Sequence, residues 1–416
     1  MKESTNCYDV VIVGGGPAGS SAAIHLAKSG ARVLLAEQKK FPRAKLCGEF
    51  ISPECLEHFE RLGVADKIMA AGGARLTETV FYARNGSSVA IPSEWFGQAH
   101  VSALGLSRAE MDSRLLARAR DLGVDVREET QATNLIVDDD RVCGVRLKTG
   151  DSEIQPVRAL VTIDATGRTR ALARRIEQSD RNATPKRKRV ERLVAFKAHL
   201  EGARQDSRHC EIYVYKGGYG GLSSVEHGLS NLCFIASARD VRSCKGDAQR
   251  VVREVVSMNK RAGWTLAEAR NVTPWIAVAL DGFGRRELVP FDGLVTVGDA
   301  ASFIDPFTGS GMLMALESGE LAAISVASHL PLLRENDSFQ ALANNYRALY
   351  SEKFARRLRI SAGLRHAAFV PRFADAMIFM AGASDKIRWR LARATRGPQQ
   401  SPCHESVFCG TKSGRL

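Results

Sequence analysis

The sequence predicts an α/β fold, with a nucleotide-binding domain built on a parallel sheet, a β-rich domain inserted into it and a helical C-terminus. Three observations carry this expectation. Val10 to Glu37 lays out a complete strand-helix-strand unit. From about Val190 to Trp275 the pattern changes to alternating strands. Leu294 to Val297 then resumes an apolar strand, followed by Gly298-Asp299-Ala300-Ala301 and a helix over Thr308 to Ala327. The first sheet is therefore assembled from distant segments.

In the opening unit, Val10 to Val13 is an apolar run suited to a buried parallel strand, and Gly14, Gly16 and Gly19 follow in GxGxxG spacing. Gly14 permits the tight turn, Gly16 lets the backbone approach a diphosphate, and Gly19 lets the helix that begins at Pro17 and Ala18 pack close to the sheet. Free N–H groups and the helix dipole supply positive potential there. Ser29 and Gly30 end the helix, and Ala31 to Ala36 leads to Glu37, eighteen positions past Gly19. Its carboxylate is placed to accept hydrogen bonds from two ribose hydroxyls and would repel a 2′ phosphate. The spacing alone is weak, but strand, helix and acidic terminus together read as a Rossmann-like dinucleotide site. Three consecutive glycines and Pro17 interrupt the uncharged run from Val10 to Ala27, which argues against a signal peptide or a membrane span.

Composition narrows the class. Hydrophobic residues make up 44% of the chain, ordinary for a globular protein of two or three domains. The nine cysteines are odd in number and include no CxxC pair, which fits reduced thiols in a cytoplasmic protein. Cys403, His404 and Cys409 match no zinc spacing, so no metal is expected. The net charge of +13 is concentrated: Lys353 to Arg396 holds eleven Lys or Arg against Asp375 and Asp385. The run Lys186-Arg187-Lys188-Arg189 reads as a solvated loop, and nothing implies a nucleic-acid partner.

The remaining elements follow in order. A helix begins after Ser52 with Pro53 in its first turn, and Thr79 to Ala83 is strand-like. Ala109 to Leu122 is a helix with a stripe of Met111, Leu115, Leu116 and Ala119. Val124 to Arg127, Ala132 to Val137, Val142 to Leu147 and Ala159 to Ile163 read as strands, the last ending in Asp164-Ala165-Thr166-Gly167. The insertion has strands at His209 to Val214, Tyr219 to Val225 and Leu229 to Ala236, then one helix over about Asp247 to Ala262. Residues 1–189 and 286–330 form the nucleotide domain, with strands of the second domain interleaved in the first segment. Residues 190–285 form the β-rich domain, 331–396 the helical region and 397–416 a flexible tail.

In the helical region Phe339, Leu342, Tyr346, Tyr350 and Phe354 recur on one face that should pack on the nucleotide domain. Leu364 to Ala383 holds Phe369, Phe373, Met377, Ile378, Phe379 and Met380, interrupted by Pro371, Arg372 and Asp375. With Lys386, Arg388, Arg390 and Arg393 beyond it, this tract is expected to lie in a lipid headgroup layer; the alternative is that the aromatics close a substrate pocket and the cations are solvated.

Three signatures, GGGPAGSSAAIHLAKSGARVLLAE, VTIDATGRTRALAR and VTVGDAASFIDPFTGSGMLMALESG, resemble FAD-dependent oxidoreductases of the geranylgeranyl reductase-like group. That group shares its fold with the aromatic hydroxylases of the para-hydroxybenzoate hydroxylase type, so the resemblance implies a Rossmann-like FAD-binding domain and one non-covalent FAD. With FPRAKLCGEF, the motifs cover about a quarter of the chain. Carried over by position, the FAD-contacting residues are Gly14, Gly16, Pro17, Ala18, Gly19, Glu37, Arg43, Arg108, Asp164, Gly167 and Asp299. Pro306, Gly309 and Gly311 would lie beside the pyrimidine edge of the flavin. Cys47 and Gly48 match a CG pair next to the flavin. Cys47 is the candidate catalytic residue, contacting substrate, donating a proton or tuning the flavin, unless it is only a small buried hydrophobe.

Related prenyl reductases carry a tyrosine-tryptophan-phenylalanine-proline sequence facing the lipid; here only Tyr219 matches, within Gly217-Gly218-Tyr219-Gly220-Gly221-Leu222. There is no WxWxIP-like halogenase segment. Gly282-Phe283-Gly284 lacks the third glycine of a second dinucleotide site, so NAD(P)H visits transiently or a reduced carrier supplies electrons. The expected function is reduction of a carbon-carbon double bond in a hydrophobic isoprenoid- or polyketide-like molecule. An oxygen-dependent flavin hydroxylase of an aromatic or quinone-like substrate is the alternative, and a flavin electron-transfer protein the second.

Overall fold

The computed structural model describes residues 7–97, 99–179, 193–280, 282–335, 338–368 and 371–394. The basic run at 186–189, Phe369 and the tail with Cys403, His404 and Cys409 lie outside these residues.

The strand Cys7–Val13 runs parallel to Val33–Ala36 on one side and Gln155–Asp164 on the other. Asp125–Arg127 joins beyond Val33–Ala36, and Leu294–Thr296 joins beyond the C-terminal half of Gln155–Asp164, both parallel. Register pairs Val13 with Ala36 and with Asp164, and Asp164 with Thr296. The turns that follow these strands therefore open on one edge, the carboxyl edge where α/β sheets bind ligands. The N-terminal half of Gln155–Asp164 pairs antiparallel with Arg141–Thr149, which pairs with Thr130–Asp138.

Helices Pro17–Lys28 and Gly311–Arg334 lie against each other over this sheet, so close that a Cβ at Gly319 would stand 2.3 Å from the Ala18 carbonyl oxygen. Only glycine fits there. The expected helix from Thr308 starts later, at Gly311, because Pro306–Thr308 forms its own short turn and Gly309 takes a left-handed φ of 62°.

Among the described residues the second sheet has eight strands and takes Glu78–Tyr82 and Ser88–Pro92 from the first sequence segment. They extend the meander of His209–Tyr215, Gly218–Ser224, Ser230–Ser237 and Leu193–Glu201. The single helix expected over Asp247 to Ala262 is instead two, Ala248–Glu254 and Lys260–Thr265. Asn259 fixes the start of the second helix. Its side-chain oxygen caps the second helix through the Arg261 and Ala262 amides, while its amide donates to the carbonyls of Tyr82, Ala83 and Val214.

In helix Gln340–Ala368 the stripe at Leu342, Tyr346, Tyr350 and Phe354 is buried against the nucleotide domain, with Phe339 just before it. Each such side chain contributes about 1.5–3 kcal/mol of burial. Pro371–Ala383 and Asp385–Ala394 then fold back onto the Ser88–Pro92 strand and the turn at Ser93–Trp95. Among the described residues, no helix is long and apolar enough to cross a membrane.

Candidate functional site

A cavity of about 720 Å³ runs from the glycine turn after Cys7–Val13 to the inner face of the second sheet. Gly14, Gly16, Pro17, Ala18, Glu37, Arg43, Cys47, Gly48, Arg108, Gly167, Asp299, Pro306, Gly309, Gly311 and Tyr219 all line it. Two of the expected contact residues do not. A Cβ on Gly19 would stand 1.9 Å from the Gly14 carbonyl oxygen, so this glycine serves close packing. Asp164 is fully buried and shapes the turn beyond its strand. One carboxylate oxygen accepts from the Thr166 amide and hydroxyl at 3.0 and 2.6 Å, the other from the Leu172 and Ala173 amides at 3.1 and 2.9 Å.

The polar end is shaped for an anion. Gly14 takes a φ of 111°, and a Cβ there would meet the Ala165 carbonyl oxygen at 2.3 Å. Beside Gly16, Arg43 and Arg108 bring guanidinium nitrogens to 3.9 and 3.8 Å from the position of an ideal Cβ. Nε and Nη1 of Arg43 are buried without a hydrogen-bond partner; Nη1 stands 3.6 Å from the Asp112 carboxylate and Nη2 3.6 Å from that of Glu37, ion-pair distances too long for hydrogen bonds. Buried donors without acceptors call for a ligand that supplies them. Arg108 is held in a two-point pair by Asp112, at 2.8 and 2.7 Å. Burial opposes its charge, but Asp112 outweighs burial and holds the guanidinium above its ordinary pKa.

Glu37 is ordered by amides of its own domain, accepting from Gly15 N–H at 2.8 Å and Lys39 N–H at 2.9 Å. Further along the wall, burial raises the Asp299 carboxyl, with Arg168, Arg108 and Lys45 opposing. Burial lowers the Lys45 ammonium, and Arg43 and Arg108 add to that. A glycine cradle, Arg43 nitrogens without hydrogen bonds and an acidic residue at the strand end suit a dinucleotide.

Toward the second sheet the wall becomes apolar, with Phe81, Val89, Ile91, Ala195, Ile212 and Ile235. Tyr219 does not point a free hydroxyl at this space: it donates to Asp305, which also accepts from the Phe307 amide at 3.0 Å. The Tyr219 ring meets Phe307 edge-on, with centroids 5.1 Å apart. At the junction of the polar and apolar parts sits Cys47. Burial pushes its thiol above the ordinary value, Arg108 opposes and Glu49 adds, so the sulfur stays protonated at neutral pH.

Sequence reasoning missed the residues that hold this junction: Glu49, Lys197, His199, Ser223 and Asn231. The one available signal was Lys197, a cation in an otherwise apolar strand, LVAFKAHLE.

Residues 7–330 match the family model described as FAD binding domain. The chain belongs to this FAD-binding family. The flavoprotein is 30% identical over 320 residues to the digeranylgeranylglycerophospholipid reductase of Methanosarcina mazei, covering 76% of this chain and 74% of that one. It is 27% identical over 387 residues to the menaquinone reductase of Mycolicibacterium smegmatis, covering 88% of this chain and 85% of that one. The solved geranylgeranyl bacteriochlorophyll reductase-like protein from Thermoplasma acidophilum superposes with a TM-score of 0.76 at 21% identity, over 95% of this chain and 98% of that chain, which establishes the shared fold. The flavoprotein is thus an FAD-dependent oxidoreductase of the geranylgeranyl reductase-like group.

Proposed function

We propose that this flavoprotein reduces a carbon-carbon double bond in the isoprenoid chain of a hydrophobic molecule. The observation that carries the reading is one cavity that joins an anion-binding glycine cradle to an apolar channel, with Cys47 on its wall. The bound FAD supplies hydride chemistry to such a channel. The chain's residues supply the rest. The glycine turn, Arg43 and Arg108 neutralise the diphosphate, and Glu37 receives the ribose. The segment from Pro306 to Gly311, which lines the cavity, would lie beside the flavin ring. Phe81, Val89 and Ile235 exclude water from the substrate, and Cys47 holds the proton that completes the addition. The electron donor, NAD(P)H or a reduced carrier, would visit the flavin transiently.

The reading extends to a lipid surface. Met377, Ile378, Ala381, Arg388 and Ala392 of the two C-terminal helices line the cavity, so these helices close it. Their other side exposes Phe379, Met380, Ile387 and Trp389 among Lys386 and Arg390. The residues that line the cavity are aliphatic apart from Arg388, while the exposed face offers apolar and cationic groups suited to anionic lipid.

The test is product analysis with reduced, FAD-loaded protein offered prenylated quinones, prenyl diphosphates and alkylphenols, with and without oxygen. A product that gains two hydrogens regardless of oxygen supports reduction. Oxygen incorporation points to the hydroxylase, and electrons retained against every substrate point to electron transfer.

A further inference from the structure

The turn Cys47-Gly48-Glu49 is held by the second domain at each of its residues. Asn231 Nδ2 donates to the Cys47 carbonyl at 3.1 Å, and Ser223 Oγ to the Gly48 carbonyl at 3.2 Å. Lys197 Nζ donates to Glu49 Oε1 at 2.7 Å, and His199 Nε2 to Glu49 Oε2 at 2.6 Å. Strand register explains the convergence. Ser223 lies opposite Asn231, and Asn231 opposite His199; two residues along, Gly221 lies opposite Cys233, and Cys233 opposite Lys197. Residues two apart share a face, so both rows present their side chains to the same turn.

Glu49 is the point where the domains meet. It is fully buried, as is Lys197 at 2% exposure, and its backbone is left-handed with a φ of 53°. A side-chain-bearing residue keeps that conformation only where its surroundings hold it. The same Oε1 also accepts the Arg108 amide at 2.9 Å, which ties the start of helix Arg108–Asp121 to the cluster. Burial alone would raise the Glu49 carboxyl, but His199 and Lys197 overcome it and keep the group ionised. A charge this deep is otherwise costly, and nothing in packing alone requires it.

We propose that Glu49 is the positioning residue of Cys47: held by Lys197 and His199, it locks the Cys47-Gly48 turn onto the second sheet and keeps a compensated negative charge beside the thiol. The thiol then stays a neutral S–H donor at a fixed point of the cavity. Among the described residues, the titratable groups acting on Cys47 are Arg108 of the helix, Glu49 of its own turn and Cys233 of strand Ser230–Ser237, with Lys197 and His199 acting through Glu49. The catalytic meaning rests on the reading of Cys47 as proton donor, but the thiol can be followed without any substrate.

The experiment is the alkylation rate of Cys47 by N-ethylmaleimide in FAD-loaded protein at about pH 9, located by peptide mass spectrometry. Glu49→Gln removes the negative charge, so more thiolate forms and the rate rises. Lys197→Met leaves Glu49 uncompensated, so less thiolate forms and the rate falls. Changes of roughly threefold or more in opposite directions are expected. Simple loosening of the turn would raise both rates. Rates that rise together, or do not change, overturn the proposal. If Glu49→Gln does not fold with FAD, Lys197→Met decides alone: a slower reaction supports the proposal, and an equal or faster one overturns it. Failure of every substrate in the product analysis would leave these rates untouched, so the two claims fail separately.

Discussion

Tyr219 of the β-rich domain donates its hydroxyl hydrogen bond to Asp305, the residue that caps the short turn beginning at Pro306. The one aromatic residue that matches the prenyl reductase pattern therefore spans the two domains. Tyr219→Phe removes the bond while keeping the ring against Phe307. Loss of one partner of a buried hydrogen bond costs about 1–3 kcal/mol. Urea denaturation of the FAD-loaded variant should show a loss in that range with FAD retained, whereas an unchanged midpoint would deny the bond any structural weight.

Glu37 offers a second test, at the cofactor. Its carboxylate accepts the Gly15 and Lys39 amides, and Arg would replace acceptors with donors. Glu37→Arg should weaken FAD binding by about tenfold or more, read by fluorescence titration of the apoprotein. Equal affinity would remove the ribose role assigned to Glu37.

Much of the first domain was legible because glycine spacing and an apolar strand act locally. The turn at Gly14, the acidic end at Glu37 and the buried stripe from Leu342 to Phe354 follow from short-range pattern. Two positions were hard to read because one side chain had a choice of partners. Periodicity runs through Asn259, but its side chain caps a new helix there. Asp164 stands in a cofactor motif, yet its carboxylate accepts from the amides and hydroxyl of its own turn. The Glu49 cluster was invisible for another reason: Lys197 and His199 lie 148 and 150 positions away and meet Glu49 only once both sheets exist.

Stability should depend on pH through His25. Burial lowers its folded pKa to about 4 from an ordinary 6.5, with Glu320 opposing at 3.8 Å. The unfolded chain then binds more protons between those values, so stability falls as pH drops through 6.5 toward 4. Between about pH 7 and about pH 5 the loss should be on the order of 2 kcal/mol. Urea unfolding at about pH 7 and about pH 5 should show it, and His25→Gln should flatten that difference. An equal slope in the variant would assign the effect elsewhere.

The C-terminal helices predict salt-sensitive lipid contact. Phe379 is 78% exposed and stands among cations that each contribute on the order of 1 kcal/mol with anionic lipid. Co-sedimentation with phosphatidylserine-containing vesicles should be strong at low salt, weak at high salt and reduced by Phe379→Glu. Equal sedimentation with neutral vesicles, or none at low salt, would rule out this surface.

Double-bond reduction is tested most directly by an anaerobic single turnover. FAD-loaded protein is photoreduced and mixed without oxygen with a prenylated quinone or a prenyl diphosphate, while the flavin absorbance and the product mass are followed together. The expected result is recovery of oxidised flavin in step with saturation of one double bond per flavin, slowed in Cys47→Ser without loss of FAD. A flavin that stays reduced with every prenyl substrate until oxygen is admitted, and then yields an oxygenated product, would contradict it.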